Sequence, residues 1–162
     1  MSIVYIHYGS NYYDPERFKI IKNDFLSVKP QGGMWCSPEN ARYGWKEWCE
    51  YQDYHTEKLE HSFRFTLASH ANILQINNKG DLTRLPKLNF PVVNGKDFLA
   101  LTKPWIFLDF EKLLTEGIDA IQVNMSNDTA TRFDEKLCNV LGCWDCDSVL
   151  IMNKDVVLSL KS

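Results

Sequence analysis

Short apolar runs alternate along the chain with turn signals and helix starts; long amphipathic stretches are missing. Residues 2–8, Ser-Ile-Val-Tyr-Ile-His-Tyr, are β-branched and aromatic and predict a strand. Asp14, Pro15 and Glu16 then supply an N-cap, a proline at the first helical position and an acidic first turn. Phe18, Ile21 and Phe25 recur at spacings of three and four, which predicts a helix carrying all three on one face. Residues 29–33, Lys-Pro-Gln-Gly-Gly, are turn chemistry, and Gly-Met-Trp-Cys-Ser over 33–37 predicts a short strand. Ser37-Pro38-Glu39 repeats the cap-then-proline signal and predicts a second helix reaching about Tyr51. Ala41, Trp45, Trp48 and Cys49 fall on its core-facing stripe; Tyr43 falls off it.

Two further strands are expected at 62–68 and 71–77. Residues 78–104 are poorly periodic, contain Pro86, Pro91 and Pro104, and read as irregular surface structure. A third helix is expected from about Trp105 to Glu116, stopped by Gly117. A strand at 118–124, a short helix near 132–139 and closing strands at 147–152 and 155–160 complete the pattern. Strands interleaved with short helices indicate a mixed α/β or α+β domain. With no repeat, low-complexity tract or linker, residues 1–162 are expected to form one domain.

Composition narrows the function classes. Hydrophobic residues make up 44% of the 162-residue chain, enough to fill a core without disulfides. The formal net charge of −3 argues against a general polyanion binder, although it leaves room for a local basic groove. No run approaches the roughly 20 apolar residues of a membrane span. The first ten residues lack the pattern of an export signal, so no membrane association and a cytoplasmic location are expected. The five cysteines are accordingly expected as reduced thiols.

Three separated segments could carry chemistry. His7, ending an apolar strand and followed by Tyr8, Gly9 and Ser10, can offer a ring nitrogen beside unhindered backbone groups; the alternative is a core histidine before an ordinary turn. Gly32 and Gly33 permit close backbone approach, and Trp35 on the next strand offers a flat stacking surface. Asp145 and Asp147 stand two apart before an apolar strand and can project to one side; the alternative is a solvated turn or a helix cap.

In that order, the segments resemble the ADP-ribosyltransferase superfamily, in its His-Tyr-Glu branch, which includes diphtheria-toxin-like enzymes, poly-ADP-ribose polymerases and bacterial toxins used in phage defence. Ile6-His7-Tyr8-Gly9-Ser10 is similar to the family's first strand. The stretch from Gly32 to Trp45 resembles its second motif, in which a helix carrying a tyrosine follows a glycine, an aromatic and a small residue. Residues 116–124 resemble its glycine–aspartate strand start, and 145–157 its final acid, apolar strand and hairpin.

The resemblance implies an α+β fold of split mixed and antiparallel sheets flanked by short helices. It also implies NAD as the substrate and a macromolecular acceptor, RNA, DNA or protein. His7 would bond the adenosine ribose, the backbone of Gly9 or Tyr8 would grip the nicotinamide amide, and Ser10 would lie in the same NAD-binding turn. Trp35 would form one face of the nicotinamide sandwich, with Tyr43 as the second aromatic and Ser37 adding a hydroxyl. Asp147 would hold the nicotinamide-ribose hydroxyl as the catalytic acid, with Asp145 competing for that role. The reaction needs no metal, and a toxin of this family would have a neutralising antitoxin partner.

The chain departs from the family at three points: a residue separates His7 from Gly9, Trp35 replaces a tyrosine, and the final acid is an aspartate. A catalytically inactive NAD-binding module is therefore the first alternative. A metal protein is the second, because Cys138, Cys143 and Cys146 are spaced like part of an iron–sulfur pattern, with Cys36, Cys49 or a histidine as a fourth ligand. Lys29, Arg42 and Lys46 could give the site a basic rim.

Overall fold

The computed structural model describes residues 2–24, 27–88, 92–93, 96–97, 107–124, 126 and 144–160. The architecture is α+β. Seven strands form one open sheet: β1 (Val4–Tyr8), β2 (Met34–Pro38), β3 (Ser62–Leu67), β4 (Ile73–Ile76), β7 (Ala120–Val123), β8 (Ser148–Ile151) and β9 (Val157–Ser159). Their spatial order is β4-β7-β8-β2-β1-β3-β9. Only β4–β7 is parallel among the pairs of this sheet described. β5 (Val92–Val93) and β6 (Lys96–Asp97) form a separate hairpin. Three short helices are described: α1 (Trp45–Gln52), α2 (Lys79–Thr83) and α3 (Phe110–Thr115).

The sheet is buried on two faces, which is why β7 and β8 read as continuous apolar or buried runs. One core cluster gathers Leu150, Ile121 and Trp144 with Phe110 and Leu113 of α3. The other gathers Tyr5, Phe65, Cys36 and Val149.

The two halves of the sheet meet at a short seam. Among the described residues the β1–β2 ladder consists of Tyr5–Pro38 and Ile6–Ser37, and it does not continue to His7 and Tyr8. On its other side β2 pairs with β8 through Met34–Ile151, Trp35–Leu150 and Cys36–Val149. A gap therefore opens between His7 and Trp35.

Several expected elements take a different form. Asp14, Pro15 and Glu16 produce one 3₁₀ turn, Pro15–Arg17, capped by the Asp14 carboxylate on the Glu16 N–H at 3.0 Å. The helix does not go on, because Lys19 and Lys22 use their backbone groups on the loop before β2: Gly33 donates to Lys19 and Lys22 pairs with Gln31. Phe18 and Ile21 consequently pack in opposite core clusters and share no helix face; Phe25 lies outside the described residues.

The second helix starts at Trp45, well after Ser37, since Pro38 is still paired to Tyr5 in the sheet. Its first free N–H, that of Trp45, donates to the Ser37 hydroxyl at 2.9 Å. Of the stretch 78–104, expected to be irregular, the described residues include regular elements: Asn78 caps α2, whose Leu82 is buried, and the β5–β6 hairpin follows; residues 89–91, 94–95 and 98–104 lie outside the described residues. The third helix starts at Phe110, where Asn23 accepts from the Phe110 N–H and donates to Asp109, both at 2.8 Å. Trp105 and the helix expected near 132–139 lie outside the described residues. Among the described residues no helix is long and apolar enough to cross a membrane.

Candidate active site

The β1–β2 gap carries two cavities that share His7 and Trp35. The first, of about 400 Å³, is also lined by Tyr8, Lys29, Cys36, Asp145, Cys146 and Ser148, and by Trp45, Trp48 and Tyr54. The second, of about 380 Å³, is lined by Gly9, Ser10, Tyr12, Tyr13, Arg17 and Phe63 among others. Each is within the size range of small-molecule sites.

His7 is half-buried and packs its ring on Phe63, with centroids 5.1 Å apart. Its Nδ1 lies 2.7 Å from the Trp35 carbonyl oxygen. A carbonyl can only accept, so Nδ1 carries the proton in this bond and a neutral ring keeps Nε2 as an acceptor. Burial lowers the His7 pKa; the bond to the Trp35 carbonyl opposes this less strongly. The ring is thereby held neutral near pH 7.

Trp35 meets Trp144 edge-on at 5.0 Å, while the Lys29 ammonium stands 5.2 Å from a Trp35 ring centroid. The second aromatic wall comes from α1. Trp45 and Trp48 stack at 4.9 Å with 17° between planes, and Tyr54 meets each edge-on. Both indoles, assigned above to the core stripe of the helix, are half-buried and face the cavity; Cys49 alone is fully buried in α1. One sequence signal pointed there: two tryptophans three apart on a helix otherwise rich in charge.

Tyr43, expected as the second ring, lines neither cavity; its carbonyl accepts the Asp147 N–H at 2.8 Å. Ser37 is buried, and its hydroxyl is committed to Trp45. The Gly9 N–H donates to the His61 carbonyl at 2.7 Å, so it cannot also grip an amide. Gly9 and Ser10 line the second cavity, where the Ser10 hydroxyl closes a local turn on Tyr12.

No family model matches the chain, and no curated protein or solved structure matches it.

The two aspartates separate. Asp145 is half-buried and lines the first cavity with His7 and Trp35. Asp147 is 4% exposed, lines neither cavity, and accepts from the Ser126 N–H at 2.8 Å and the Ser126 hydroxyl at 2.5 Å. It acts as a structural acceptor, and the cavity carboxylate is that of Asp145.

The cavity thiols are poor nucleophiles: burial pushes Cys36 far up and Cys146 up to about 12, so both stay protonated near pH 7. Cys36, Cys49 and Cys146 are free and buried. Cys138 and Cys143 lie outside the described residues, and among the described ones no three His, Cys, Asp or Glu side chains are grouped to hold a metal ion.

Proposed function

We propose that this protein is an NAD-dependent mono-ADP-ribosyltransferase, with an ADP-ribosyltransferase-like fold whose sheet splits at the β1–β2 gap. One observation carries the reading: His7, Trp35 and Asp145, from three distant segments, line one cavity. A second cavity, which shares His7 and Trp35 as lining residues, would take the other half of a dinucleotide.

In this reading the Nε2 of neutral His7 accepts a ribose hydroxyl. The pyridinium lies against Trp35, and the Lys29 ammonium swings on its flexible stem from that ring toward the pyrophosphate. The bond from the ribose anomeric carbon to the pyridine nitrogen breaks, and its electron pair leaves with neutral nicotinamide. Positive charge develops on the sugar, and the Asp145 carboxylate stabilises it more than it stabilises bound NAD. The acceptor nucleophile then bonds the anomeric carbon and loses its proton to solvent.

Nicotinamide release from NAD by the purified protein tests this. The wild type is expected to release it, and Asp145→Asn and His7→Asn to release far less. Equal slow loss in all three would instead favour the inactive NAD-binding module, a reading supported by the turning away of Asp147 onto Ser126.

A further inference from the structure

Seen from the first cavity, the Trp35 ring already has a partner of the chain's own. Trp144, itself buried, meets the indole edge-on at 5.0 Å, and the Lys29 ammonium stands over it, 5.2 Å from a ring centroid. Among the described residues Lys29 takes part in no ion pair, so the ring is what holds the ammonium there. Ser27, Val28 and Lys29 line the cavity together with Trp35, which puts this contact inside the site.

The backbone beside Lys29 is fixed. Its own N–H donates to the Ser27 hydroxyl at 3.1 Å, and Gln31 pairs both ways with Lys22 at 2.9 Å. Gly32 follows at φ 77°, pressed so closely on the Ile20 carbonyl that a Cβ would collide with it. Residues 31–33 therefore cannot carry the ammonium away. What can move is the flexible stem of Lys29, by side-chain rotation alone.

The charged side chains lining this cavity, among the described residues, are Lys29 and Asp145. A pyridinium laid on Trp35 would meet a like charge beside the same ring. A phosphate carried with it changes the balance, because it offers the ammonium a charge-assisted hydrogen bond, stronger than contact with a ring face open to water.

We propose that Lys29 is a specificity-determining residue: it caps the Trp35 ring and yields it only to a flat ligand that brings its own phosphate. That this ligand is a pyridinium nucleotide rests on the transferase reading; the seat of the ammonium does not. Nicotinamide riboside and nicotinamide mononucleotide carry the same pyridinium and differ by one phosphate. Calorimetry measures their binding to the full chain. The mononucleotide is expected to bind at least about tenfold more tightly than the riboside. Lys29→Met keeps a long stem and removes the charge, so the two affinities should move in opposite directions. The mononucleotide should weaken by about tenfold and the riboside tighten by about threefold. Lys29→Arg, which keeps a cation on the indole, should hold the riboside at its wild-type affinity or below. A riboside that gains nothing from Lys29→Met would overturn the proposal, and so would a mononucleotide that loses nothing. Binding of neither ligand to either protein would overturn it too. Nicotinamide release from NAD, followed in parallel, separates the two ideas. Release without the crossed effect of Lys29→Met sinks the Lys29 proposal alone, and the crossed effect without release sinks the transferase reading alone.

Discussion

The Nδ1 of His7 and the carbonyl oxygen of Trp35, 2.7 Å apart, bridge the place where the β1–β2 ladder has stopped. A side chain takes over there from main-chain pairing. The bond satisfies a strand carbonyl beside an open gap, sets the tautomer of the imidazole, and holds the two halves of the site at a fixed distance.

The first prediction follows from the lowered His7 pKa, caused chiefly by burial. The unfolded chain binds this proton at about 6.5, and the folded chain only at lower pH. The stability linked to neutral His7 is complete above that unfolded value and is lost as pH falls through the interval below it. Asn can place a donor where Nδ1 stands but does not titrate. Urea midpoints at about pH 7.5 and 5.5 should therefore fall further for the wild type than for His7→Asn. An equal fall in both proteins would remove His7 as the buried titrating group.

The two aspartates should behave as opposites. Asp147→Asn replaces a buried carboxylate that accepts two hydrogen bonds from Ser126, at a cost of about 1.5–3 kcal/mol in unfolding free energy. Asp145→Asn should slow nicotinamide release by roughly 10²–10³-fold in protein that still folds. Full activity in folded Asp145→Asn, with loss in folded Asp147→Asn, would reverse the assignment.

Ser37→Ala tests how α1 is anchored. The variant leaves the Trp45 N–H without its acceptor inside the protein, and about 1 kcal/mol of stability should go with it. Since Trp45 begins the aromatic wall, ligand affinity should weaken as well as the melting temperature. A fall in stability with wall-dependent binding untouched would show that the cap does not position the wall.

Gly33 and Gly9 both adopt positive φ, at 68° and 101°. A Cβ on Gly33 would stand 2.8 Å from the Ile151 carbonyl oxygen and 2.7 Å from a Leu150 methyl, whereas one on Gly9 meets nothing within 4 Å. Gly9→Ala should cost about 1–3 kcal/mol of backbone strain, and Gly33→Ala clearly more, because it must also push β8 away from β2. Equal denaturation midpoints for the two variants would contradict this.

Local chemistry in the chain sufficed to determine much of the scaffold. Strands β1, β3, β4, β7, β8 and β9 lie inside the predicted runs, and Asp14 opens a turn as its cap signal indicates. Those features depend on neighbours a few positions away, where periodicity and capping operate. His7 and Trp35 stood out for the same reason, as unusual residues at the ends of readable strands.

Tertiary structure decided what those side chains do. The Lys19 and Lys22 backbone chose the β2 loop over a helix, Ser37 became the cap of a helix eight residues later, and Ser126 drew Asp147 out of the cavity from 21 residues away. Two tryptophans that periodicity sends to the core instead wall a cavity, because the gap between β1 and β2 leaves a concave surface beside α1. A hydrogen-bonding or stacking group takes whichever partner the folded chain brings within reach, and such partners lie too far along the sequence for a local pattern to name.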